Sequence, residues 1–275
     1  MIKRFKKDNF EKATEFFEDN GFIVVEDALD KDLLNDFKEE FASVIKAHLV
    51  KAKIKDEIQD HELFHKGIEL LGRADQAYIS SVYGTIYLTP SFLRIISQKF
   101  ISDTVRLLLN NATAPLYGFS NRCLIAPPSD DRRTYGWHQE VFYTIPEGRF
   151  IQTWAPLIND TSTSNGTIEV AVGSHKEGVA PQTWNYIEGR QLQIIVSDDV
   201  VAKYEQVALP MKLGELLFFS GYMAHRSGTN VSSKHRYSLV GMYHDVSEIK
   251  FVAPTFDMSY QGKTPEEYFD EKLGN

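Results

Sequence analysis

The sequence predicts a mainly β domain, a sandwich or barrel with a helical flank on its N-terminal side. Before about residue 115, apolar residues recur at helical spacing; after it, short apolar runs bounded by turn residues dominate. No internal repeat, low-complexity tract or Gly/Ser linker interrupts the 275 residues. The expected organisation is therefore one domain: a flank at about 1–115, a strand-rich core at about 116–250 and a tail at 251–275.

Asn9 to Glu18 reads as a short helix, closed at Asp19-Asn20-Gly21, where glycine can take the left-handed cap conformation. Phe22 to Val25 reads as a buried strand. Asp30 can cap a second helix, in which Leu33, Leu34, Phe37, Phe41, Val44 and Ile45 fall on one stripe. A third helix starts at Thr89-Pro90 and is expected to run through Leu93, Ile96, Phe100, Val105 and Leu108. Strands are expected at Asn121–Ile125, Trp137–Tyr143, Gln152–Ile158, Thr167–Val172, Glu215–Phe219 and Tyr237–Tyr243. Asn165-Gly166, between two of them, is a hairpin signal because both residue types tolerate positive φ.

Composition narrows the class without naming a chemistry. Hydrophobic residues at 43% and charged residues at 25% are those of a globular protein. Apolar runs such as Leu216 to Phe219 have the length of core strands, well short of the ~20 residues of a membrane helix. The basic start, Met1 to Lys7, has no apolar segment behind it and does not read as a secretory signal. One cysteine, Cys123, allows no internal disulfide and fits a reducing cytoplasm. The net charge of −8 argues against broad nucleic-acid binding. The expected partner is a small molecule, with neither nucleic acid nor membrane.

The chemistry sits in Trp137-His138-Gln139-Glu140. On a strand, residues two apart share a face, so His138 and Glu140 can reach one point while Gln139 points away. An imidazole beside a carboxylate gives two ligands of the set that non-haem Fe(II) oxygenases use; a second histidine completes it and leaves positions open. His225, after the apolar run Leu216–Phe219, is the best candidate for the third ligand. Arg236 lies on the following strand and shares a face with Ser238, Val240 and Met242. A lone arginine among apolar neighbours needs an anion, because an unpaired buried charge is costly. A dicarboxylic cosubstrate would supply one, gripped bidentately.

At these residues the sequence resembles the phytanoyl-CoA dioxygenase family of iron(II)/2-oxoglutarate oxygenases. The matching pieces are Gly21 to Val25, Trp137 to Glu140, Trp154 to Asp160 and Asn165-Gly166. They continue through Gly173-Ser174-His175, Gly214-Glu215, His225 to Asn230, and Arg236, spanning about residues 20 to 245 in the family's order. The resemblance implies a double-stranded β-helix core (a jelly roll, cupin-like) with helices packed outside it. It implies iron(II) held by His138, Glu140 and His225. It implies 2-oxoglutarate held through its distal carboxylate by Arg236 and Ser227 beside Trp154, with dioxygen as the oxidant and succinate and CO2 released. The family usually has Asp where this chain has Glu140, a side chain longer by about 1.5 Å. Related halogenases carry a small residue there, so Glu140 argues against halogenation.

Other residues are weighed alongside. Tyr135, Phe142 and Tyr143 flank the metal motif and can line a substrate pocket, or serve as ordinary aromatic core. Arg122, on a strand bordering the site, can hold an anionic substrate. His175 is a candidate ligand or part of a structural turn. His61-Glu62-Leu63-Phe64-His65 matches the zinc-peptidase pattern His-Glu-x-x-His, but Ile68 and Leu71 replace the Gly and His of the metzincin continuation. The expected function is a cytoplasmic hydroxylase of a small or medium organic metabolite. The alternatives are a non-catalytic jelly-roll binding protein and, more remotely, a zinc metallopeptidase using His61 and His65.

Overall fold

The computed structural model describes residues 2–7, 11–130, 135–142, 149–186, 193–248 and 251. Strand β1 (Arg4–Phe5) precedes α1 (Glu11–Asn20) and β2 (Phe22–Val25). Gly21 ends α1 with φ +79°, and its N–H donates to Phe17 O at 2.7 Å. A Cβ there would meet the His175 ring at 2.4 Å, so the turn requires glycine twice over. Helix α2 (Lys31–Lys51) starts where Asp30 accepts from the backbone N–H groups of Asp32 and Leu33.

A 3-10 turn (Asp60–Glu62), a π-helical turn (Leu63–Gly67), α3 (Ile68–Ala74) and α4 (Gln76–Ile86) follow. The helix expected from Thr89-Pro90 to Leu108 is two: α5 (Pro90–Ile96) and α6 (Lys99–Leu108). The break at Ser97-Gln98 is satisfied locally, since the Gln98 side chain donates back to Ile95 O at 3.0 Å. Apolar spacing alone could not register it, because both segments turn their apolar residues to the same core.

The strand-rich part contains β3 (Leu116–Ala126), β4 (Phe150–Pro156), β5 (Ile168–Ala171), β6 (Gln182–Asn185), β7 (Gln193–Val196) and β8 (Gln206–Ala208), then β9 (Leu216–Ser220), β10 (His225–Ser227) and β11 (Arg236–Asp245). Among the described residues, the order β1-β2-β9-β4-β11-β3 forms a six-stranded sheet, β10-β5-β8 a three-stranded sheet, and β6-β7 a ribbon. The fold is a jelly roll. Strand β2, from the N-terminal flank, pairs antiparallel with β9, so that flank also contributes to the large sheet.

The large sheet is buried on both faces, which is why its strands read as near-continuous apolar runs. Ile23, Ile151, Ala155, Phe218, Tyr237 and Leu239 point outward against Phe37, Phe41, Ile45 and Phe92 of the helices. The alternate residues Val24, Trp154, Leu217 and Phe219 point inward, against Ile168 and Val170 of the small sheet. Asn165-Gly166 is not a hairpin turn. The strands on either side of it, β4 and β5, belong to different sheets, and only Gly166 has positive φ. Asn165 instead makes an isolated bridge to Asn230. The same turn chemistry here carries the chain from one sheet to the other.

Candidate metal centre

The expected strand at Trp137–Tyr143 is absent over the described part of that range. His138 makes an isolated antiparallel bridge to His225, and Glu140 opens a 3-10 turn, Glu140–Phe142. His138 and Glu140 therefore converge through a bridge and a tight turn, not through strand alternation. Gln139 still points away, as expected. It is buried and donates to Gly178 O at 2.7 Å and Tyr222 O at 2.6 Å, while accepting from Ala180 N at 2.9 Å. That one side chain ties the turn to two other loops.

The ligand atoms that His138, Glu140 and His225 can offer lie within 4.8 Å of one another, and no other such group of three occurs among the described residues. Glu140 Oε2 is 3.6 Å from His138 Nε2 and 3.8 Å from His225 Nε2. Each imidazole is fixed from behind. His138 Nδ1 meets Gly136 O at 2.8 Å, and His225 Nδ1 meets Met223 O at 3.0 Å. A carbonyl only accepts, so both Nδ1 atoms carry the hydrogen and both Nε2 lone pairs face the centre.

Electrostatics hold the cluster in a ligand-ready state. Burial pushes the Glu140 carboxyl up, but the hydrogen bond and charge of His138, then His225 and Gln152, outweigh it and leave its pKa below the usual value. Burial, then His138, brings His225 down to about 3. At neutral pH the set is one carboxylate and a neutral His225, and metal needs that state. Gln152 is a residue that sequence reasoning missed. It is fully buried, its amide lies close enough to Glu140 to help lower that carboxyl's pKa, and neither amide atom has a hydrogen-bond partner elsewhere. A glutamine in a mostly apolar strand, Phe150–Pro156, where Thr153 is the other polar residue, was the available signal.

Arg236 is 5% exposed, and burial lowers its pKa to about 10. One of its N–H groups donates to Gly166 O, and its guanidinium lies 5.7 Å from the Trp154 ring. Its Nε has no partner, and no carboxylate of a described residue pairs with it. A buried cation with an unsatisfied donor suits a carboxylate ligand. Ser227 and Arg236 line one cavity of about 1130 Å³, together with Arg122 and Tyr135. The Tyr135 ring lies 5.4 Å from that of His138, so the cavity abuts the three-residue cluster. Tyr143 and the side chain of Phe142 lie outside the described residues.

The remaining candidates separate from the site. His175 Nε2 donates to Glu18 O at 3.1 Å and packs under Gly21, a structural role. His61 is exposed on a 3-10 turn, while the Nδ1 of His65 accepts from the His235 backbone at 3.0 Å. The two do not share a helix of regular pitch, which removes the geometric basis of the peptidase reading. His235 itself, beside Arg236, lines the cavity and stacks on His65 at 5.9 Å.

Comparison with known proteins bears on this centre. A family model described as phytanoyl-CoA dioxygenase matches residues 17–238. Two curated relatives are 1-deoxypentalenic acid 11-beta-hydroxylases. The protein from Streptomyces exfoliatus is 25% identical over 237 residues, covering 82% of this chain and 77% of its own. The one from Streptomyces arenae is 24% identical over 234 residues, covering 82% and 76%. Among solved structures, the epimerase SnoN in complex with Fe3+, alpha ketoglutarate and nogalamycin RO matches with a TM-score of 0.58 at 16% identity, over 93% of this chain and 92% of that one. EctD from S. alaskensis with 2-oxoglutarate and 5-hydroxyectoine matches with a TM-score of 0.56 at 17% identity, over 86% and 76%. At these identities the structural matches speak to the fold.

Proposed function

The chain belongs to the phytanoyl-CoA dioxygenase family, and from that premise we propose how its own residues carry the iron(II)/2-oxoglutarate-dependent oxygenase reaction. His138, Glu140 and His225 would hold iron(II) through two imidazoles and one carboxylate, a donor set that suits this metal. Arg236, with Ser227 beside it and Trp154 against its guanidinium, holds the distal carboxylate of 2-oxoglutarate. Tyr135 and Arg122 face the substrate. Iron(II) bound there would supply the oxidising chemistry, with dioxygen and 2-oxoglutarate as co-reactants: one oxygen atom would go to a substrate C–H bond and the other to 2-oxoglutarate, released as succinate and CO2.

The observation that carries this reading is the ligand cluster beside a cavity lined by a buried arginine that pairs with no carboxylate of a described residue. The protein's work is orientation and exclusion of water. The Gly136 and Met223 carbonyls aim the two imidazoles, and Gln152 steadies the carboxylate. Val141, next to Glu140 in the chain, and Met242, opposite Gln152 in the sheet, pack together as buried apolar neighbours. The carboxylate of Glu140 occupies the place that a halide would need.

The substrate is a small or medium organic metabolite and the reaction a hydroxylation, as the names of the Streptomyces relatives describe for those proteins. No helix among the described residues is long and apolar enough to cross a membrane. A cytoplasmic setting accords with the single, fully buried thiol of Cys123.

The test is spectroscopic. Anaerobic addition of Fe(II) and 2-oxoglutarate should produce a visible charge-transfer band that His138→Ala and His225→Ala abolish. A wild-type protein without the band would return the chain to a binding role. Succinate release, screened against a metabolite library, then identifies the substrate.

A further inference from the structure

The cavity beside the His138, Glu140 and His225 cluster is larger than a five-carbon cosubstrate needs. Its volume of about 1130 Å³ lies just above the ~300–1,000 Å³ range of pockets for drug-sized ligands. One wall is apolar and aromatic, from Ile79, Tyr83 and Tyr87 of the helical flank and Leu124 of β3. The charged groups are few. Arg73 pairs with Glu69 at 3.8 Å, Asp130 has a partner of its own, and Arg236 serves the cosubstrate.

Arg122 is left. Its guanidinium is half-buried and donates only to the backbone O of Ser120, at 3.3 Å, and to the Ser120 hydroxyl, both neutral. No carboxylate of a described residue forms an ion pair with it. Its place in the sheet separates it from Arg236. Arg122 lies opposite Val240, and Arg236 opposite Ala126, four residues along the same strand pair. At ~3.3 Å per residue the two backbone positions are ~13 Å apart, and Arg122 turns toward Ser120 while Arg236 turns toward Gly166, so they suit two different anions. Arg122 lines the same cavity as Tyr135, whose ring lies 5.4 Å from that of His138, so it shares the space beside the cluster.

We propose that the substrate is an amphipathic organic acid, its single carboxylate paired with Arg122 and its hydrocarbon skeleton laid against Ile79, Tyr83 and Leu124. The proposal rests on the oxygenase reading above and specifies its substrate class. It also selects the free acid over a coenzyme A ester. A carrier with several phosphates needs several cations, and the described lining offers one uncommitted cation in a chain of net charge −8.

Calorimetric titration of the anaerobic protein, loaded with Fe(II) and 2-oxoglutarate, tests this with decanoate, 1-adamantanecarboxylate and their methyl esters. At least one acid should bind, and its ester should bind at least tenfold more weakly. Arg122→Met should weaken the acid at least tenfold, leave the ester unchanged and leave both the charge-transfer band and 2-oxoglutarate affinity intact. Arg122→Lys should recover part of the loss. Four results would overturn the proposal while the oxygenase reading stands: no acid binds with the band intact, acid and ester bind alike, Arg122→Met binds the acid as the wild type does, or Arg122→Met loses 2-oxoglutarate instead. A missing band would overturn both.

Discussion

His138 and His225 exchange both backbone hydrogen bonds, N to O at 3.0 Å in each direction, and this bridge sets their rings 4.3 Å apart. The bridge stands alone, outside any named strand pair, and joins the loop before Glu140 to the start of β10. Two of the three proposed ligands are thus located by main-chain geometry. The third, Glu140, depends on a single turn of 3-10 helix and on what meets its side chain.

Gln152 should matter to the metal more than to the fold. Its amide faces Glu140 and has no other partner. Replacement by Leu keeps the volume and removes the polar contact. Fe(II) affinity should fall by ~10–100-fold, as for other groups that orient a ligand, with the melting temperature little changed. Unaltered metal affinity in a titration would show that Glu140 needs no such support.

Arg236→Ala should leave iron binding in place and weaken 2-oxoglutarate. Truncating one partner of a buried charge pair costs about 2–5 kcal/mol, so the dissociation constant should rise at least ~30-fold. Wild-type protein should gain thermal stability from saturating 2-oxoglutarate, because ligand binding to the folded state alone stabilises it. The variant should lose that gain at the same concentration. An equal thermal shift in both proteins would remove Arg236 from the cosubstrate site.

Gly166→Ala should disturb the same arginine indirectly. Gly166 has φ +77°, and a Cβ there would meet Gly228 O at 2.3 Å. Its carbonyl also accepts from Arg236. The left-handed conformation alone costs about 1–2 kcal/mol for alanine, and the clash adds to it. A lower melting temperature together with weaker 2-oxoglutarate binding is the expected pair of effects.

Acid should destabilise the protein partly through His235. Burial, then the neighbouring His65, brings its pKa from 6.5 to about 4. The unfolded imidazole binds a proton in the interval between those values while the folded one does not. Stability is therefore full above about pH 6.5 and is lost as pH falls toward 4, by on the order of 3 kcal/mol from this residue. His235→Phe should flatten the melting temperature against pH over that interval. An unchanged slope would assign the loss to other groups.

Much of this was legible in the residues themselves. Residue type marks His138, Glu140, His225 and Arg236, because few other patterns place two imidazoles, a carboxylate and a lone cation among apolar strands. Apolar runs bounded by turn residues mark β2, β4, β9 and β11, since burial on both faces imposes them locally. Tertiary structure decided what depends on distant partners. It broke the helix after Ile96 and turned Asn165-Gly166 into a passage between sheets. It replaced the expected strand at Trp137 with a bridge and a 3-10 turn. Gln152 came beside Glu140, and Arg122 was left without an acid among the described residues, only once the strands were in register. Local sequence carries the preference of a segment, but hydrogen bonds between strands far apart in the chain choose its neighbours, and those neighbours make the site.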